Sequence, residues 1–129
     1  MEEKSNQSTP LRPQGERILS SNLVEMDVKQ FIQQIRSEKV WAESDHNSIT
    51  IFKSEKMRIV LIGMHKGATL KTHTANAIIS VQVVEGLIKF TADEQTIALE
   101  NGRMIALQEK IPHSVSAVED SFFLLTLAM

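Results

Sequence analysis

The chain predicts a mainly β protein: a small antiparallel β-barrel preceded by one helix. Three observations carry that class. A single window has helical periodicity, apolar residues alternate with a period of two from about residue 48 onward, and Gly67, Gly86 and Gly102 break the alternating runs. A chain of 129 residues is one domain by length and large enough to bury a core that needs no staples.

Residues 1–22 hold two of the three prolines and are rich in Ser, Asn and Gln. That composition predicts a flexible N-terminal arm ahead of one domain over 23–129. The helix is expected at about 27–39, where Val28, Phe31, Ile32 and Ile35 form one apolar stripe. Asp27 is placed to cap it with Gln30 reaching back, and Met26 and Phe31 occupy the positions of a hydrophobic staple. Arg36 and Lys39 fall in its last turn, where cations suit the helix dipole. Such a helix is expected to serve as a lid or buttress on the barrel wall.

Strands are expected over 48–52, 57–64, 70–75, 77–85, 87–91, 95–99, 104–107, 113–117 and 122–127. Asn101-Gly102 supplies the positive φ of a tight turn. About nine short strands with short connections argue for a closed or nearly closed barrel over about 48–128, because closure leaves no edge unpaired. The last strand, Phe122-Phe123-Leu124-Leu125, is apolar on both faces. One face is expected in the core and the other, with Val84, in a subunit contact.

Composition excludes several functions. The 16 acidic and 14 basic side chains leave a net charge of −2, with no basic stripe interleaved with aromatics, so nucleic acid is not an expected partner. The chain has no cysteine, which removes thiolate nucleophiles and sulfur ligands and fits a reducing, cytoplasmic setting. The first residues lack an apolar signal region, and no stretch approaches the ~20 apolar residues of a membrane span. No phosphate-cradling glycine loop and no G-x-S-x-G elbow occurs. Asp93-Glu94 and Glu119-Asp120 read as solvated turns.

The two glycine-punctuated stretches carry one histidine each. The first runs Gly67, five residues, His73, Thr74, Ala75, three residues, Ile79, six residues, Gly86. The second runs Gly102, five residues, Gln108, Lys110, His113 and Ala117. This joint spacing resembles the two motifs of the cupin superfamily, G-x5-H-x-H-x3,4-E-x6-G and G-x5-P-x-G-x2-H-x3-N, over roughly residues 49–127. The resemblance implies a double-stranded β-helix, a small single-domain bacterial cupin and a homodimer. It also implies a divalent transition metal (Fe, Mn, Ni or Zn) held by three histidines and a glutamate.

Only His73 and His113 of that ligand set are present. Ala75 stands at the second histidine position and Ile79 at the glutamate position, and neither carries a lone pair to donate. Strand parity groups Lys71, His73 and Ala75 on one face, and Ile79, Val81 and Val83 on one face of the next strand. His46 and His65 are expected to face solvent. Two imidazoles in an apolar mouth are therefore the candidate site, with Lys71, Ala75, Ile79 and Val81 as further lining, and Lys71 as a cation for a carboxylate or enolate. Three readings follow. The first is a non-catalytic cupin that binds a small, partly apolar molecule. The second is a metal-dependent enzyme of dioxygenase or isomerase type with a two-histidine ligand set, and the third is a structural dimer whose barrel is filled.

Overall fold

The computed structural model describes residues 19–129; of the expected N-terminal arm, residues 1–18 lie outside the described residues. Two helices, α1 (Val28–Ser37) and α2 (Lys39–Glu43), precede the strands β1 (His46–Lys53), β2 (Met57–Met64) and β3 (Thr69–His73). The chain continues through β4 (Ile78–Glu85), β5 (Leu87–Ala92), β6 (Gln95–Glu100), β7 (Met104–Leu107), β8 (His113–Ala117) and β9 (Ser121–Ala128). Every expected strand forms, with ends that differ by at most two residues.

The pairing explains why so many short strands make one barrel. β2 pairs with β9, β3 with β8, β4 with β7 and β5 with β6, all antiparallel. The chain from β2 to β9 is thus one long hairpin whose arms are folded over. Its tip is Asp93-Glu94, both at positive φ (51° and 62°), the conformation a two-residue hairpin loop requires. Folding the hairpin distributes its strands between two sheets, β1-β2-β9-β4-β7 and β3-β8-β5-β6. Their inner faces meet in one apolar core of Ile62, Met64, Ile79, Val81, Val83, Ile88, Phe90, Val115, Phe123, Leu125 and neighbours.

The sheets cross at Gly86. It lies at φ +106°, and a β-carbon there would stand 2.4 Å from Ser121 Oγ and 2.5 Å from the Asp120 carbonyl oxygen. Only glycine lets the β4–β5 link pass the β8–β9 turn this closely. Gly102 instead answers to its turn alone, at φ +83° with no atom within 4 Å of the β-carbon position.

The helical region departs from expectation. The Asp27 carboxylate accepts the Gln30 N–H at 3.2 Å, as a cap should, but α1 stops at Ser37. Glu38 is extended and buried; its carboxylate accepts from Asn47 Nδ2 at 3.0 Å and from Gln34 Nε2 at 3.2 Å. Lys39 therefore opens a second helix and does not close the first. The helices pack on the outer face of the β1-β2-β9 sheet, where Ile32 and Ile35 meet Ile49, Ile51, Leu61 and Phe122.

That packing corrects the reading of the last strand. Phe123 is fully buried inside the barrel and Phe122 is fully buried beneath the helices, with Val84 packed partly against the same cluster. Neither ring is available to a second subunit. No helix among the described residues is long and apolar enough to cross a membrane.

Candidate functional site

β3 carries His73 and β8 carries His113, and the two are direct cross-strand partners. Upstream, Leu70 pairs with Val115. Three residues of β3 thus span what two residues of β8 span, so the register shifts across Lys71 and Thr72. The extra residue changes the parity of the strand. Leu70 packs against the barrel core while Lys71 and Thr72 are both exposed. The expectation that Lys71 shares a face with His73 is therefore overturned, because alternation does not continue through the irregularity.

The rings of His73 and His113 lie 4.4 Å apart between centroids, inclined at 58°. Each is oriented by main chain close to it in sequence. His73 Nδ1 lies 2.7 Å from the Lys71 carbonyl oxygen, and His113 Nδ1 lies 3.0 Å from that of Ile111. A carbonyl oxygen only accepts, so in both rings Nδ1 carries the proton and, in the neutral ring, Nε2 bears a lone pair. Both Nε2 atoms are buried with no hydrogen-bond partner.

His113 is 2% exposed, and Phe90 stacks on it at 5.6 Å and 15°. Burial holds its pKa below the ordinary 6.5 and outweighs the Ile111 carbonyl, which favours the charged form; neighbouring His73 acts in the same direction as burial. An unpartnered buried acceptor costs about 1–3 kcal/mol. Two such acceptors lie on paired strands.

The remaining predicted lining is apolar. Ile79 is 2% exposed and Val81 0%, both on β4, and Ala75 packs partly buried against the same cluster, which reaches the imidazoles through Phe90. Among the described residues no group of three or more His, Cys, Asp or Glu side chains is placed to hold a metal ion. The two bare Nε2 atoms, each with Nδ1–H on a carbonyl, suit a metal as donors. Two ligands fall short of the three or four that zinc sites and the two-histidine, one-carboxylate iron sites use. The residues present therefore do not fit a complete metal centre.

Sequence reasoning missed three contributors to the site. Phe90 was legible in the inward alternation of Ile88, Phe90 and Ala92, whereas the orienting carbonyls of Lys71 and Ile111 leave no trace in residue identity. A depression of about 340 Å³ also reaches His113, lined by Thr72, Thr91, Asp93, Glu94, Pro112 and Ser114 among others. The other histidines lie elsewhere. His46 is exposed with Nδ1 2.8 Å from Asp45. His65, expected in solvent, is half-buried: its ring stacks on Trp41 at 3.6 Å and its Nε2–H donates to the Trp41 carbonyl at 2.6 Å.

No protein-family profile matches the sequence, and no curated protein matches it. Solved structures do. A conserved protein of unknown function from Streptococcus pyogenes is 23% identical with a TM-score of 0.70, covering 86% of this chain and 94% of its own. An RmlC-like cupin from Desulfovibrio desulfuricans is 27% identical, covering 67% of this chain and 84% of its own at a TM-score of 0.61. Salicylate 1,2-dioxygenase from Pseudoaminobacter salicylatoxidans, in adducts with gentisate, is 17% identical at a TM-score of 0.68; the match takes in 77% of this chain and 31% of the enzyme.

Proposed function

We propose that this chain, a cupin by fold, is a non-catalytic binding protein that takes a small, partly apolar molecule where His73 and His113 meet. The observation that carries the reading is the pair of buried Nε2 acceptors without partners, set against Phe90. Convergent polar groups in apolar surroundings are the ordinary signature of a ligand site. The imidazoles orient the molecule by hydrogen bonds, and the apolar side chains of Ile79, Val81 and Phe90 supply the burial. With alanine and isoleucine at positions 75 and 79, those two positions offer neither a carboxylate nor a third imidazole for a reaction there.

One observation favours a second reading. Orientation of both imidazoles through Nδ1–H to a carbonyl is how metal-bound histidines are usually held. On that reading Fe, Mn, Ni or Zn binds to two histidines and the substrate completes the coordination, in an enzyme of dioxygenase or isomerase type. Complete coverage of both lone pairs favours a third, the filled barrel. Against it stands the cost of about 1–3 kcal/mol for each orphaned acceptor, which an apolar residue at either position would avoid.

Elemental analysis of the untagged protein and of the His73→Ala, His113→Ala double variant separates the first two. The expected result is metal well below one equivalent in both. Stoichiometric metal that disappears in the variant would replace the binding reading with the metal enzyme.

A further inference from the structure

The binding reading leaves the chemical class of the molecule open, and the proton positions on the two imidazoles narrow it. Resting on that reading, we infer that the site selects a neutral molecule that donates a hydrogen bond, of the phenol or alcohol class, and rejects carboxylates. Both Nδ1 protons are engaged by the carbonyls of Lys71 and Ile111, so the unpartnered atoms are the two Nε2 lone pairs. A lone pair in buried surroundings is satisfied by a hydroxyl or N–H proton. A carboxylate brings only further lone pairs and a charge that the apolar ring of Phe90, stacked on His113, does not solvate.

The charges at this end point the same way. The register shift in β3 leaves Lys71 exposed, and Lys110, whose N–H holds the Ala75 carbonyl at 2.9 Å, is exposed as well. The depression that reaches His113 has Asp93 and Glu94 in its lining and no lysine or arginine. An anion in that depression faces two carboxylates and no cation from its lining. A neutral hydroxyl compound meets no such barrier, and on entering it offsets the displacement of the groups that now cover both Nε2 atoms by satisfying those atoms.

The test uses the full chain after chelator treatment, with phenol, benzoate and toluene as probes of similar size and different donor character. Long-range proton–nitrogen spectra of the imidazoles read both the tautomer and the binding. The expected result is Nδ1–H on both rings of the free protein and phenol moving the Nε2 resonances. Phenol should bind at least about 5-fold tighter than toluene, since a buried hydrogen bond contributes about 1 kcal/mol or more. Benzoate should leave the rings unmoved, and His113→Phe, which keeps the ring shape, should lose the preference for phenol over toluene.

A proton on Nε2 of either ring overturns the donor inference and leaves the binding reading standing. So does benzoate binding at these rings more tightly than phenol, or toluene matching phenol. If none of the three probes moves either ring, the binding reading itself falls and the inference falls with it.

Discussion

His73 and His113 face each other across paired strands with ring centroids 4.4 Å apart, and each has its Nδ1 within hydrogen-bond distance of the carbonyl two residues earlier in the chain. The arrangement repeats on both sides of the pair. It leaves both Nε2 atoms buried and unpaired, and stability measurements read that cost directly.

Replacing His113 by phenylalanine removes one orphaned acceptor and keeps an aromatic ring against Phe90. It also gives up the bond to the Ile111 carbonyl, worth about 1 kcal/mol, so the net change runs from about zero to a gain of about 2 kcal/mol. Urea denaturation measures it. A loss of about 3 kcal/mol or more means that the Nε2 lone pair has a partner in solution.

The depressed pKa of His113 has a pH signature. As pH falls, the unfolded chain takes up the imidazole proton at about 6.5 while the folded chain still resists it. Stability is therefore complete above that value and is lost as pH falls through the folded pKa. Thermal unfolding at pH 7.5 and pH 5 should show a larger drop in Tm for the parent protein than for His113→Phe. Equal drops assign the acid sensitivity to other groups.

Gly86→Ala should be the most damaging of the motif-glycine substitutions. It places a methyl 2.4 Å from Ser121 Oγ and 2.5 Å from main chain, at φ +106°. Backbone strain and overpacking each cost about 1–3 kcal/mol, so the loss is at least about 2 kcal/mol. Gly67→Ala, at φ +88° with open space around it, carries only the conformational cost of about 1–2 kcal/mol. Denaturant midpoints rank the two, and the reverse order would refute the crossing of the sheets at Gly86.

Trp41 is the chain's single tryptophan and reports on helix docking. It stacks on His65 at 3.6 Å and lies 5.3 Å from the Phe122 ring. Phe122→Ala should cost about 3–5 kcal/mol through the cavity it leaves. Tryptophan emission should shift to the red as α2 loosens from the barrel. Unchanged emission at a reduced stability would show that Trp41 is held by His65 alone.

Period-two alternation, a local property, located all nine strands, and the glycines at 67, 86 and 102 marked their breaks because positive φ is a demand of the residue's own backbone. The loss of donor atoms at Ala75 and Ile79 was equally plain, since a missing lone pair is a matter of residue type. The motif resemblance anticipated that His73 and His113 meet.

Tertiary structure decided what depends on pairing. Parity counts residues and cannot register the one that β3 gains on β8, so it put Lys71 with His73 when pairing turns the lysine outward. The buried Glu38 broke one expected helix into two through Asn47, a residue on a strand, and the packing of α2 drew His65 onto Trp41. Which imidazole nitrogen holds the proton was settled by main-chain carbonyls, groups that every residue carries and no residue type can signal.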